Sequence, residues 1–147
     1  MIKTKNGKTA PQYVKQAIIQ WEIKHYNLPY NVDGMSGEEI DELYDKMDIS
    51  GEITVGANEM RHYWSDENIL PARKYSRHYD CKEVAYQCTD GTWIGWTYWY
   101  GGGKHGEPNA IDWINDAYFV ECVEEEKLVV VRSFSIEEDN TNANPNA

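Results

Sequence analysis

Apolar positions in the first third of the chain recur at helical spacing. Val14, Ala17, Ile18 and Trp21 follow Pro11 with lysines and glutamines between them, and proline is tolerated in a first helical turn, where its missing N–H would have no partner anyway. The spacing predicts a helix over residues 11–26. Pro29 and the Asp33-Gly34 pair break the pattern into a loop. Ser36 and Glu39 then form a capping box, in which hydroxyl and carboxylate each bond a backbone amide left free at a helix start. A second helix is expected over 37–47, with Ile40, Leu43, Tyr44 and Met47 as its apolar stripe. Residues 52–55 read as a short strand and 58–64 as a short third helix. Residues 65–80 read mainly as loop.

From Lys82 the period changes to two. Val84, Tyr86 and Cys88 share one face, Asp90-Gly91 follows, and then comes the aromatic run 93–100. An Asp-Gly pair between two such runs predicts a hairpin with a type I′ turn, because both residues accept positive φ. Strands over 117–123 and 128–136, joined by the acidic turn Glu124, Glu125, Glu126 and Lys127, predict a second hairpin, with a helical turn over 110–116 before it. The expected fold class is α+β: a four-stranded antiparallel sheet of two hairpins, about 82–136, with two to three N-terminal helices on one face. Residues 1–136 form a single domain in this reading, and 137–147, acidic and asparagine-rich with no large apolar residue, form a disordered tail.

Composition narrows the function classes. The chain has 147 residues, a length that suits one domain. Its net charge of −11 is unevenly placed: about +4 over 1–30, −8 over 31–60, neutral over 61–100 and −7 over 101–147. Direct binding to nucleic acid is disfavoured by that balance, and a basic protein partner is favoured. No signal peptide or membrane span is expected, since the start is basic and polar with no apolar stretch behind it, which implies a cytoplasmic protein. Cys81, Cys88 and Cys122 then read as free thiols. No cofactor is implied.

Several segments carry candidate chemistry. Residues 48–53 match a calcium loop in part, but with Gly51 at its sixth position the first falls on Lys46 and the last on Ala57, where carboxylates are needed. His78 and Cys81 have the spacing of a zinc pair, yet Cys88 and Cys122 alternate in phase with apolar strand residues and read as buried thiols, so no metal site is assigned. The loop Gly101, Gly102, Gly103, Lys104 and His105 lets backbone approach a ligand closely and places rare positive charge in an acidic half. It lacks a phosphate-loop pattern and a nucleophile beside His105, and no catalytic residue is assigned. Both faces of strand 93–100 are aromatic, with Ile94, Trp96, Tyr98 and Tyr100 on one and Trp93 and Trp99 on the other; one face meets the helices and the other needs a cover: the segment through Trp113, a second copy of the chain, or another protein. On the second helix, Glu38, Glu39, Asp41, Glu42 and Asp45 form an acidic outer face that could imitate the phosphate spacing of a nucleic-acid backbone.

Small size, acidic charge, an aromatic-rich hairpin and no complete active site together make the chain similar in style to the small accessory proteins with which tailed bacteriophages disable host factors. That resemblance implies a stoichiometric inhibitor of a basic host or defence enzyme. The acidic helix would carry the contact, with Trp93, Trp99 and Lys104 as anchors. Two other classes remain open: a small-ligand or nucleotide binder, or enzyme, using loop 101–106, and an interaction subunit that completes a homodimer through its sheet.

Overall fold

The computed structural model describes residues 2–63, 68, 70–103 and 106–138. Helix α1 spans Ala10–Tyr26, α2 Gly37–Ser50 and α3 Thr54–Arg61; strand β1 spans Asp80–Gln87, β2 Trp93–Tyr100 and β3 Tyr118–Phe119. The strands form an antiparallel sheet in the order β1-β2-β3. The α+β class is as expected; among the described residues the sheet has three strands rather than four.

Local chemistry accounts for the helix bounds. Thr9 and Gln12 form a capping box at the start of α1, and Asn27 ends it at φ 51°. Ser36 and Glu39 cap α2 as predicted, but that helix runs one turn further than the 37–47 stripe, to Gly51 at φ 81°. The expected strand at 52–55 is instead the entry to α3. Ile53 offers no side-chain cap there. Glu22, buried on α1, accepts the Gly56 N–H at 2.6 Å in its place. A side chain on Gly56 would meet Glu22 Cγ at 2.9 Å, so glycine is what lets the two helices approach. Trp64, the expected last residue of this helix, lies outside the described residues.

The β1–β2 hairpin has the predicted strands and a different turn. Gly91 donates to the Cys88 carbonyl at 2.9 Å and Cys88 to Thr92 at 2.8 Å. Gly91 has φ 92°, whereas Asp90 is not in the positive region. This is a three-residue loop, a type I turn closed by one left-handed glycine, not a type I′ turn. Asp90 accepts from Thr92 N–H at 2.9 Å and from Tyr13 Oη at 2.7 Å, which ties the turn to α1. Asn6-Gly7 makes a tight turn of its own, with Lys5 and Lys8 exchanging backbone bonds at 2.9 and 3.0 Å, and Asn6 reaches Asp90 as well.

One side of α1 packs on β2 and β3, and its other contacts are with α2 and α3. Between α1 and the sheet lie Val14, Ile18, Ile94 and Trp96, all fully buried. Trp113 packs against Trp96 with the rings tilted and their centroids 5.4 Å apart, so it belongs to this helix-side core and does not cover the opposite sheet face. A 3-10 turn at Pro108–Ala110 takes the place of the helical turn expected over 110–116.

The second hairpin does not form. β3 holds two residues, and residues 121–138 are exposed and outside any helix or strand. Val130 is 79% exposed, Phe134 90% and Ile136 95%. Folding back would require a turn through Glu124, Glu125 and Glu126, which crowds like charges. Residues 121–138 therefore make a C-terminal arm, exposed and unpaired with the sheet, attached to a body that ends at Val120.

Candidate functional site

The five acidic residues of α2 separate into two groups. Asp41 is half-buried against α1 and accepts from Gln12 Nε2 at 2.9 Å and Lys15 Nζ at 2.9 Å. Burial raises its pKa, but the Gln12 and Lys15 contacts outweigh that and hold its carboxyl below the usual carboxylate range. Glu39 serves the helix cap. Glu38, Glu42 and Asp45 are exposed, lie at successive turns of one helix face, and have no ion-pair partner among the described residues. Three of the five carboxylates are thus exposed with no such partner, while the exposed Glu39 and the half-buried Asp41 are engaged within the chain.

Trp93 and Trp99 do not join that surface. They alternate with Ile94, Trp96 and Tyr98, and so stand on the sheet face away from the helices. Because α1 packs between α2 and the sheet, the acidic row and these two rings lie on opposite sides of the body. The rings are also half-buried, and Tyr79 meets Trp99 edge-on at 6.4 Å. Part of the segment 70–79 covers this face, which explains how an aromatic strand can be two-sided in a chain of this size.

A polar cluster crosses the same face. Glu83 on β1 is buried and accepts from Thr97 Oγ1 at 3.0 Å and from Tyr118 Oη at 2.8 Å, one residue from each strand of the sheet. Arg73 lies 3.9 Å over the Tyr118 ring and 3.8 Å from the Glu83 carboxylate. Burial, then the bond to Glu83, pushes the Tyr118 hydroxyl far above its ordinary pKa, which keeps it a neutral donor. Gly95 makes room for this arrangement, since a Cβ there would meet Tyr118 Cε2 at 2.6 Å. The cluster pins three strands to the covering segment. No sequence signal marks it beyond an acidic residue standing in phase with Cys81 and Ala85 on β1.

The glycine loop has a local explanation. Gly101, Gly102 and Gly103 all have positive φ, at 75°, 89° and 51°. A Cβ on Gly102 would meet the Tyr79 ring at 2.7 Å, and one on Gly106 would meet it at 3.0 Å. These glycines let the loop wrap the Tyr79 ring. Lys104 and His105 lie outside the described residues. Among the described residues no three of His, Cys, Asp and Glu converge as metal ligands, and no helix is long and apolar enough to cross a membrane. Cys88 is buried, as expected, and burial pushes its thiol up to about 12. Cys122 is exposed on the arm, contrary to its strand-phase reading as a buried thiol, because the strand expected around it does not continue past Phe119.

Two surfaces therefore stand free: the α2 carboxylates and the apolar C-terminal arm. Beside the arm's origin lies a third feature, a groove of ≈ 670 Å³ between the start of α1 and β3, lined by Ile2, Lys3, Ala10, Pro11, Ala117 and Phe119 among others. Comparison with protein-family models, with curated proteins and with solved structures finds no match for this chain.

Proposed function

We propose that this protein works by binding protein, with the C-terminal arm as its principal contact. The observation that carries this reading is the exposure of Leu128, Val129, Val130, Val131, Phe134 and Ile136 on a single segment. Scattered apolar residues on a surface need no explanation, but six within nine positions form a contiguous strip that water solvates poorly. An extended apolar segment with unpaired backbone is what strand addition uses: main-chain bonds supply affinity, and alternate side chains supply specificity. Amide hydrogen exchange on the arm tests it. Protection of residues 128–136 in the presence of a partner supports a docking role, and exchange at the free-chain rate under every binding condition removes it.

A second reading rests on the carboxylates of Glu38, Glu42 and Asp45, exposed and without an ion-pair partner among the described residues. They suit a basic partner, including the nucleic-acid groove of a host or defence enzyme that the acidic row would occupy as an inhibitor. Here Glu38→Lys with Glu42→Lys should weaken binding, and added salt should do the same to the unmodified protein. Affinity indifferent to both would remove the acidic row as a contact. The arm and the row leave the body at different places, so each set of substitutions reads out one surface alone.

A further inference from the structure

The protein-binding reading assigns the arm a docking role; the inference here rests on that reading and names the occupant. We propose that the arm of one chain seats in the groove beside β3 of a second copy, as a fourth strand exchanged between subunits.

The groove has the shape and the edge for a strand. Ala10 and Pro11 form one wall and Ala117 and Phe119 the other, with a volume of ≈ 670 Å³ between them, within the range of clefts that bury several apolar groups. Val120 donates its N–H to the Trp93 carbonyl. In an antiparallel pair the backbone groups of successive residues point alternately inward and outward, so the N–H and C=O of Phe119 point away from β2. No described backbone group bonds them. An added strand would meet that edge and lay alternate side chains into the groove.

Charge matches as well. Lys3 and Lys5 stand over the Phe119 ring at 6.0 and 5.1 Å, and neither has a carboxylate partner among the described residues. The arm brings Glu124, Glu125 and Glu126 immediately before its apolar stretch. The groove's lining also holds Asp41, which Lys15 pairs, so Lys3 and Lys5 leave its mixed polar and apolar rim with a positive balance that faces an acidic lead into an apolar strand on the same chain. The chain's own arm does not take this place, since its apolar residues are at least 76% exposed and its turn would pass through three adjacent glutamates. Supplied by a second copy, the strand needs no such turn. The stretch from Val120 to Leu128 spans roughly 26 Å when extended, enough to cross to a neighbour. Reciprocal exchange closes a two-fold dimer.

The test uses the full-length chain, with molar mass measured by light scattering over a dilution series. The expected mass tends to twice the 17.1 kDa of one chain as concentration rises. Val130→Asp with Phe134→Asp, exposed positions whose change leaves the body's core intact, should weaken dimerisation by about a hundredfold or more. Lys3→Glu with Lys5→Glu should weaken it by about tenfold, and adding Glu124→Lys with Glu125→Lys to the same chain should restore it. Circular dichroism of each variant confirms that the body has folded. A monomer at every concentration overturns the inference, as does a dimer indifferent to the arm substitutions or a charge reversal without rescue. A monomer that still binds a different protein through Val130 and Phe134 overturns the exchange while leaving the protein-binding reading in place.

Discussion

Glu22 sits within α1 yet completes the start of α3, where its carboxylate takes the Gly56 N–H that Ile53 cannot cap. Glu22→Ala would leave that amide buried and unbonded, and should cost about 2 kcal/mol in denaturant unfolding; Glu22→Gln keeps an acceptor and should cost less. Asp90 makes a comparable link at the surface. Burial raises its pKa, but the Tyr13 hydroxyl and the Thr92 contacts outweigh this and hold it to about 2 against an ordinary 3.8. A carboxyl depressed in the folded state stabilises above its unfolded pKa and loses that stabilisation as pH falls through the folded one. Stability should therefore decline between about pH 4 and pH 2, and Asp90→Asn should flatten that part of the profile. Thiol alkylation at neutral pH should label Cys122 readily and leave Cys88 unmodified until the protein unfolds, because the Cys88 thiol is buried. The Ser36 and Glu39 box was legible in the chain itself, since its partners lie three positions apart. Glu22 and Gly56 are 34 apart, and no local pattern joins them.

At the level of elements, the same division holds. α1 and α2 carry their own caps and stripes, and both were readable at their starts to within a residue, although α2 runs three residues past its expected end. α3 borrows its cap and is short, so its start was mistaken for a strand. The β1–β2 hairpin followed from alternation, while its turn type depended on Asp90 bonding to Tyr13 and Thr92, which keeps that residue out of the left-handed region. Residues 128–136 have as good a strand pattern as β1 does, but pattern reports what a segment is suited to pair with and not where the pairing edge lies. Glu83 adds a further dependence between strands. Gly95→Ala would push its Cβ into the Tyr118 ring, break the bond to Glu83 and cost about 1–3 kcal/mol, which thermal unfolding of the variant would show. Tyr118→Phe removes the same bond without the clash and separates the two effects.

For the whole molecule, the candidate surfaces were only half visible from the chain. Acidity of α2 was plain from composition, but not that Asp41 is engaged by Gln12 and Lys15 of α1 and that Glu39 caps its own helix. Trp93 and Trp99 could be placed on one strand face, though nothing in the chain revealed that Tyr79 meets Trp99 there or that α1 separates this face from the acidic row. Among the described residues, the buried core ends at Trp113 and the last side chain packed against it is Phe119, so the arm contributes nothing to the core. That placement bears on kinetics. In many exchanged dimers the traded element belongs to the core, so partners swap only as fast as the subunits unfold. In the proposed exchange, an arm could withdraw while the body stays intact. Mixed populations of heavy-isotope and ordinary chains should scramble, in native mass spectrometry, far faster than either unfolds, making association a quickly reversible response to concentration.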